Sequence, residues 1–171
     1  MTHPLVFGLF DNADVAARAA RALRELGLPR ERVSIVARSH DEEGAVADAS
    51  GASPGAEIED SPSASRLGEL GAHLLAAIAL VMPGIGPIVA DGPLAAELGE
   101  AAGHMAGGIA KVLTRAGLPA SQAEAWEARI EAGAFLLGAH ADPSNASAIR
   151  STLEQAGAEQ VAVGTWSEIN D

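Results

Sequence analysis

The sequence predicts an α+β protein with a ferredoxin-like fold, in which two β-α-β halves form a four-stranded antiparallel sheet with two helices on one face. Each end of the chain alternates an apolar run, a helical stretch and a second apolar run, at residues 5–38 and 134–166. Two such units in one chain are typical of this fold. The residues between them form a large insertion rich in glycine and alanine. We expect residues 1–171 to be a single domain.

The first half, residues 5–38, begins with a buried strand from Leu5 to Phe10. Asp11 and Asn12 then supply the side chains that start a helix. Gly27 and Pro29 end this helix, and Arg32 to Arg38 is predicted to be the second strand. The buried face of the helix has apolar residues at helical spacing: Val15, Ala19, Ala22, Leu23 and Leu26.

The second half, residues 134–166, repeats this order. Ala134 to Ala141 is predicted to be a strand, and Asp142-Pro143-Ser144 begins a helix that ends at Gly157. Residues 160–166 form the last strand. The buried stripe of the helix contains Ala146, Ile149, Leu153 and Ala156.

The insertion starts with an acidic segment. Residues 41–62 carry seven carboxylates and no basic residue. Because such a segment buries too little apolar area to order itself, we expect residues 39–62 to be a flexible loop. An acidic tag that binds a cation or a partner is the alternative.

Residues 63–132 are predicted to be three helices, at 63–82, 93–116 and 120–132. Residues 83–94 contain three prolines and three glycines within an apolar run, so one helix cannot cross them. We expect a tight apolar elbow between the first two helices, folded back as a water-soluble hairpin. A segment that lies in a membrane interface is the alternative.

The second inserted helix has a face of small residues. Gly99, Gly103 and Gly107 recur every four residues, a spacing that lets two helices approach backbone to backbone. This face is the candidate for association into a homodimer. Close packing within one chain would use the same pattern.

Two Glu-x-x-x-His pairs are the candidate metal ligands: Glu69 with His73, and Glu100 with His104. Carboxylates and imidazoles on facing helices can hold a metal or contact a haem. The same residues belong to stripes of mixed charge, which are typical of a solvated helix face.

Composition excludes several functions. A net charge of −12 argues against binding of nucleic acid and of anionic membranes. Cysteine is absent, so thiolate catalysis and thiolate metal sites are excluded. His140 is predicted to be a strand histidine at the sheet edge, because no serine or cysteine nucleophile motif accompanies it. We therefore predict a protein without enzymatic activity or cofactor, and the lack of an export signal favours the cytoplasm.

Several segments of the sequence together suggest a family. They are residues 6–12, residues 33–38, residues 83–87 with Ala90 and residues 92–94, residues 117–119, and residues 133–142. These segments resemble the general stress protein 17M-like family, which includes low-temperature-induced and heat-inducible bacterial proteins. The resemblance extends over about residues 5–163, and the elbow is its most specific part. It implies an association with stress and no assigned chemistry.

These observations favour a cytoplasmic stress protein that acts by self-association or by binding a partner through its inserted helices. One alternative is a protein that holds a hydrophobic molecule, haem or a metal between those helices. Another is peripheral association with a membrane through the elbow.

Overall fold

The structure, a computed structural model, describes residues 2–38, 78–82, 86–103 and 108–167. Within these residues the strands are β1 (Thr2–Phe10), β2 (Val33–Arg38), β3 (Ile78–Met82), β4 (Gly86–Asp91), β5 (Phe135–His140) and β6 (Gln160–Ser167). The helices are α1 (Ala13–Glu25), α2 (Pro93–Gly103), α3 (Ile109–Arg115), α4 (Ala120–Glu131) and α5 (Ala146–Gln155). The chain is therefore an α+β protein.

All six strands belong to one antiparallel sheet, in the order β3-β4-β2-β5-β1-β6. The two ends of the chain interleave in it. Strand β5 of the second half lies between β2 and β1, and β1 of the first half lies between β5 and β6. Leu5 shows this directly, since it is opposite His140 on one side and Gly164 on the other. The prediction that both halves share one sheet is confirmed.

Two of the strands lie where sequence analysis predicted other structure. The predicted helix over residues 63–82 is wrong for Ile78–Met82, which form β3, and the predicted elbow is wrong for Gly86–Asp91, which form β4. The apolar segment does double back, but as a β-hairpin in which Met82 is opposite Gly86. The sheet therefore has two strands more than the four predicted. Residues 39–77, which include the acidic segment, and residues 83–85 lie outside the described residues.

Proline does not prevent β4 from forming, because of where it stands in the sheet. Pro87 is opposite Val81 of β3, whereas the pairing of β4 with β2 begins one residue later, at Ile88 opposite Arg38. A proline is tolerated in a strand at positions where no ladder donor is required. Short apolar runs have no periodicity that separates a strand from a helix, which is why the sequence did not reveal these strands.

The inserted helices also differ in part from the prediction. The single helix expected over residues 93–116 is instead α2 and α3 in the described residues, and residues 104–107 between them lie outside these. The helix expected over residues 120–132 is confirmed as α4.

Helices cover both faces of the sheet: the two helices of the terminal halves share one face, as expected, and the inserted helices cover the other. Helices α1 and α5 cover the first, here called the α1/α5 face, where Phe10, Leu23 and Leu153 are buried. Helices α2, α3 and α4 cover the other, the α2–α4 face, where Phe7, Leu98 and Trp126 are buried. Strand alternation explains the division, since Leu5, Phe7 and Leu9 of β1 point to one face while Val6 and Phe10 point to the other.

The turn between α3 and α4 closes over the end of β6. The amide of Thr165 donates a hydrogen bond to the carbonyl oxygen of Ala116, at 2.7 Å. Gly117 has a φ of +102°, a conformation that favours glycine and lets the chain turn there. Gly164 is also required, because a Cβ at this position would collide with the Ala116 carbonyl oxygen. This contact fixes the end of β6 against α3.

Candidate functional site

Four polar or aromatic side chains meet at one end of the sheet, where β1 and β2 begin and β5 and β6 end. They are His3, Ser34, His140 and Trp166. Strand pairing brings them together, since His3 is opposite Trp166 and Ser34 is opposite Gly138, two residues before His140. We call this group the Ser–His–His network.

Hydrogen bonds connect the network in a line. The amide of Leu94, in the first turn of α2, donates to Ser34 Oγ at 3.1 Å. Ser34 Oγ and His140 Nε2 are 3.0 Å apart, and His140 Nδ1 is 3.0 Å from His3 Nε2. In one consistent proton assignment, the serine hydroxyl donates to His140 Nε2 and His140 Nδ1–H donates to His3. The line thus runs from the start of α2 to the first residues of β1.

His140 is held neutral in this setting. Its exposed fraction is 2%, and its ring lies perpendicular to the Trp166 ring at a centroid distance of 5.1 Å. The pKa of His140 is lowered to about 4, chiefly by burial and in the same direction by positive charge on His3 and on Arg32. A neutral His140 can accept a hydrogen bond from the serine hydroxyl, whereas the imidazolium form has no free nitrogen lone pair and cannot.

Arg32 is held beside the network by an ion pair with Asp142. Its two terminal nitrogens lie 3.1 and 3.3 Å from the two carboxylate oxygens of Asp142. The pair joins the residues just before β2 to those just after β5 and is partly exposed. It adds little to stability by itself but fixes the guanidinium near His140.

A serine beside a histidine that is oriented by a third group is also the arrangement of many hydrolases. Here, however, Ser34 is fully buried. Gly92 packs so closely over Ser34 that a Cβ there would lie 2.8 Å from the hydroxyl oxygen. A substrate could not reach the serine in this conformation. The hydrogen bonds of the network join the start of α2 to the centre of the sheet.

A cleft opens on the other side of Trp166. It has a volume of about 170 Å³ and lies between α2, α3 and the end of β6. The indole of Trp166 separates the cleft from His140, since it contacts the histidine ring and also lines the cleft. The lining residues are Glu97, Val112, Arg115, Ala116, Thr165, Trp166 and Ser167.

Two opposite charges face each other in the cleft. A guanidinium nitrogen of Arg115 is 3.7 Å from a carboxylate oxygen of Glu97. The side chain of Glu97 is 16% exposed and that of Arg115 is 54% exposed, so the carboxylate lies deeper. The distance is longer than a hydrogen bond, and the pair is correspondingly loose.

The predicted site residues lie mostly beyond what the structure describes. Glu69, His73, His104 and Gly107 are outside the described residues, and the side chain of Glu100, in α2, is not described. The two Glu-x-x-x-His pairs therefore remain a prediction. Within the described residues no group of three or more histidine, aspartate or glutamate side chains is placed to hold a metal. Gly99 and Gly103 both lie in α2.

Sequence reasoning missed most of the Ser–His–His network. It placed His140 at a sheet edge, whereas β5 is flanked by β2 and β1, and it assigned no role to Ser34 or His3. Ser34 did carry a signal, since it is the single polar residue in the run Val33-Ser34-Ile35-Val36 and buried polar groups need hydrogen-bond partners. The partner could not be inferred, because it is far away in the sequence.

Comparison of the chain with models of protein families, with curated proteins and with solved structures gives no match. Among the described residues, no helix has both the length and the apolar character that crossing a bilayer requires. What the protein does is therefore inferred from its own residues.

Proposed function

We propose that this protein is a non-enzymatic, cytoplasmic stress protein that acts by self-association, or by binding a protein partner, through its inserted helices. The resemblance to the general stress protein 17M-like family supports the link to stress. The position of Gly103 on α2 is the observation that carries the proposed association.

Helix α2 uses one face to pack on the sheet and leaves another for a partner. Leu94 and Leu98 are buried, whereas Ala96 is exposed. Gly103 follows the exposed Ala96 by seven residues, so helical periodicity aligns it with Ala96, whereas Gly99 follows the buried Ala95 by four. Helix α3 is on a different flank, since Arg115 reaches Glu97. Small residues aligned with Ala96 and Gly103, on a side of α2 away from Leu94 and Leu98, would let a second helix approach closely.

The absence of enzymatic activity is proposed because of how the Ser–His–His network is enclosed. Of the described residues, Ser34 and His140 have the side chains and spacing closest to a catalytic pair, and both are buried. Their hydrogen bonds are satisfied within the protein, which is expected of a structural network.

We also propose that the four strands of the terminal halves form a ferredoxin-like unit, with the remaining elements as an insertion. In support of this, these strands are adjacent in the order β2-β5-β1-β6, and all of their pairings are antiparallel. In this view β3 and β4 extend the sheet at one side, beyond β2.

Light scattering of purified variants tests the association. Wild-type protein is expected to be a dimer, and Gly103→Leu is expected to be a monomer because the added side chain separates the two backbones. Ala125→Leu is the matched control, since Ala125 is an exposed small residue of α4 and its replacement should leave the dimer intact. Circular dichroism verifies that each variant is folded. A monomeric wild-type protein, or a folded Gly103→Leu dimer, would contradict the proposal.

A second candidate function is the binding of a small ligand between the inserted helices. The cleft beside Trp166 favours it, because Val112, Ala116 and the indole form an apolar wall next to two charged groups. Its volume of about 170 Å³ is below the roughly 300–1,000 Å³ of sites for drug-sized molecules, and it is too small for haem.

A further inference from the structure

We propose that the cleft beside Trp166 binds a small α-amino acid with an apolar side chain, in its zwitterionic form. The inference rests on the second candidate function above, whose ligand it specifies, and it does not depend on self-association. It follows from the charges, the apolar wall and the size of the cleft.

The two charged groups in the cleft do not form a hydrogen bond with each other. Glu97 and Arg115 approach to 3.7 Å, which is too long for a hydrogen bond. Within the part of the chain that the structure describes, neither side chain makes a hydrogen bond to any other protein group. The side chain of Glu97 is 16% exposed and lines the cleft, where a ligand can take the place of water beside it. Better partners for both groups would therefore be stabilising.

Charge balance selects the class of ligand. An amine alone would pair with Glu97 but would place a second cation beside Arg115. A carboxylate alone would pair with Arg115 but would be repelled by Glu97. A ligand with both charges satisfies both side chains, since its ammonium donates to the Glu97 carboxylate and its carboxylate accepts from the Arg115 guanidinium.

The geometry favours an α-amino acid over a longer zwitterion. Glu97 and Arg115 lie side by side, so the two ligand charges must be close together, as they are on one α-carbon. The remaining wall of the cleft consists of Val112, Ala116 and the indole of Trp166, against which an aliphatic side chain can pack. A volume of about 170 Å³ accommodates a single small amino acid.

Titration of wild-type protein tests the ligand class. L-leucine is the probe, and isothermal calorimetry measures its affinity. Three analogues retain most of its carbon skeleton: 3-methylbutylamine lacks the carboxylate, 4-methylpentanoate lacks the ammonium, and 3-methylbutanol lacks both charges. We expect L-leucine to bind saturably and each analogue to bind at least about tenfold more weakly, since each loses one or both charge-assisted hydrogen bonds.

Matched variants test the residues. We expect Glu97→Gln and Arg115→Gln each to weaken L-leucine binding by about tenfold or more. Glu154→Gln is the control, because Arg150 and Glu154 form a comparable ion pair on the exposed side of α5, and it should leave the affinity unchanged.

Three results would overturn the inference: no saturable binding of L-leucine up to about 10 mM, at the weak end of specific affinity; equal binding of L-leucine and any one analogue; or unchanged affinity in both cleft variants. If 3-methylbutanol binds as tightly as L-leucine, the cleft still binds a ligand, but the ligand need not be a zwitterion. A failure to bind any of the four compounds would also remove this cleft as the ligand site.

Discussion

The two faces of the sheet have different chemistry, although the same strands form both. The α1/α5 face is apolar throughout its buried part, with side chains such as Val6, Phe10 and Leu153. The α2–α4 face contains both of the buried polar side chains in the described residues, Ser34 and His140. It also borders the cleft with Glu97 and Arg115.

This difference indicates a division of roles between the faces. The α1/α5 face has the features of a packing surface, in which stability comes from buried apolar area. The α2–α4 face includes polar groups whose burial costs free energy unless they are paired, and Ser34 pairs with both His140 and the amide of Leu94. These hydrogen bonds join the sheet to α2, the helix that contributes Glu97 to the cleft.

The largest loss of stability is expected from a substitution that breaks the contact between β6 and the turn that joins α3 to α4. Gly164→Ala should reduce the free energy of unfolding by about 3 kcal/mol, because its Cβ collides with the backbone carbonyl of Ala116. Gly27→Ala is the control, since φ is +96° there but no atom lies within 4 Å of the new Cβ, and backbone strain alone costs about 1–2 kcal/mol. Urea denaturation measures both, and an equal or smaller loss in Gly164→Ala would contradict the close contact.

The next effect is a dependence of stability on pH that arises from His140 on the α2–α4 face. The folded protein binds this proton more weakly than the unfolded chain, because the pKa of His140 is about 4 rather than 6.5. The stabilisation is complete above about pH 6.5 and is lost as the pH falls towards 4, by up to about 3 kcal/mol.

Denaturation of wild-type protein and of His140→Gln across this range isolates the effect. The difference in free energy of unfolding between the two proteins should shrink as the pH falls from 7 to 4.5. A difference that stays constant over this range would mean that His140 is not held neutral in the fold.

The smallest of the three effects comes from the hydroxyl of Ser34. Ser34→Ala leaves the amide of Leu94 and Nε2 of His140 without their partner in a buried place, and should cost about 2 kcal/mol. Thr152→Ala is the control on the other side of the molecule, since that hydroxyl donates to the carbonyl of Ala148 in an exposed position. Its effect should stay within about 0.5 kcal/mol. If Ser34→Ala and Thr152→Ala reduce the free energy of unfolding equally in thermal or urea denaturation, the proposed difference between the two faces is wrong.

Local signals were sufficient to predict the strands and helices of the terminal halves, although Leu26, expected on the buried face of α1, is exposed. Asn12 begins α1 as expected, with its side chain accepting from the amide of Val15, and Gly27 and Gly157 follow the ends of α1 and α5 with positive φ. These residues act within one turn of the chain, so a single sequence contains the information.

The hairpin and the Ser–His–His network depended on contacts between distant residues. The sequence of Ile78–Met82 is compatible with either an apolar helix or an apolar strand. The segment is a strand because it pairs with β4. Ser34 and His140 are 106 positions apart, so their hydrogen bond cannot be inferred from spacing. Glu97 and Arg115 belong to a helix that was predicted to be continuous, and the cleft between them follows from its division into α2 and α3.

Nuclear Overhauser contacts between strands test most directly whether the two halves and the hairpin form one sheet. The structure predicts cross-strand contacts between Val6 and Ala139, which join the halves, and between Val36 and Ala90, which join the hairpin to β2. Contacts typical of a helix within residues 78–82, or β2 directly beside β1, would contradict the architecture on which the two different faces depend.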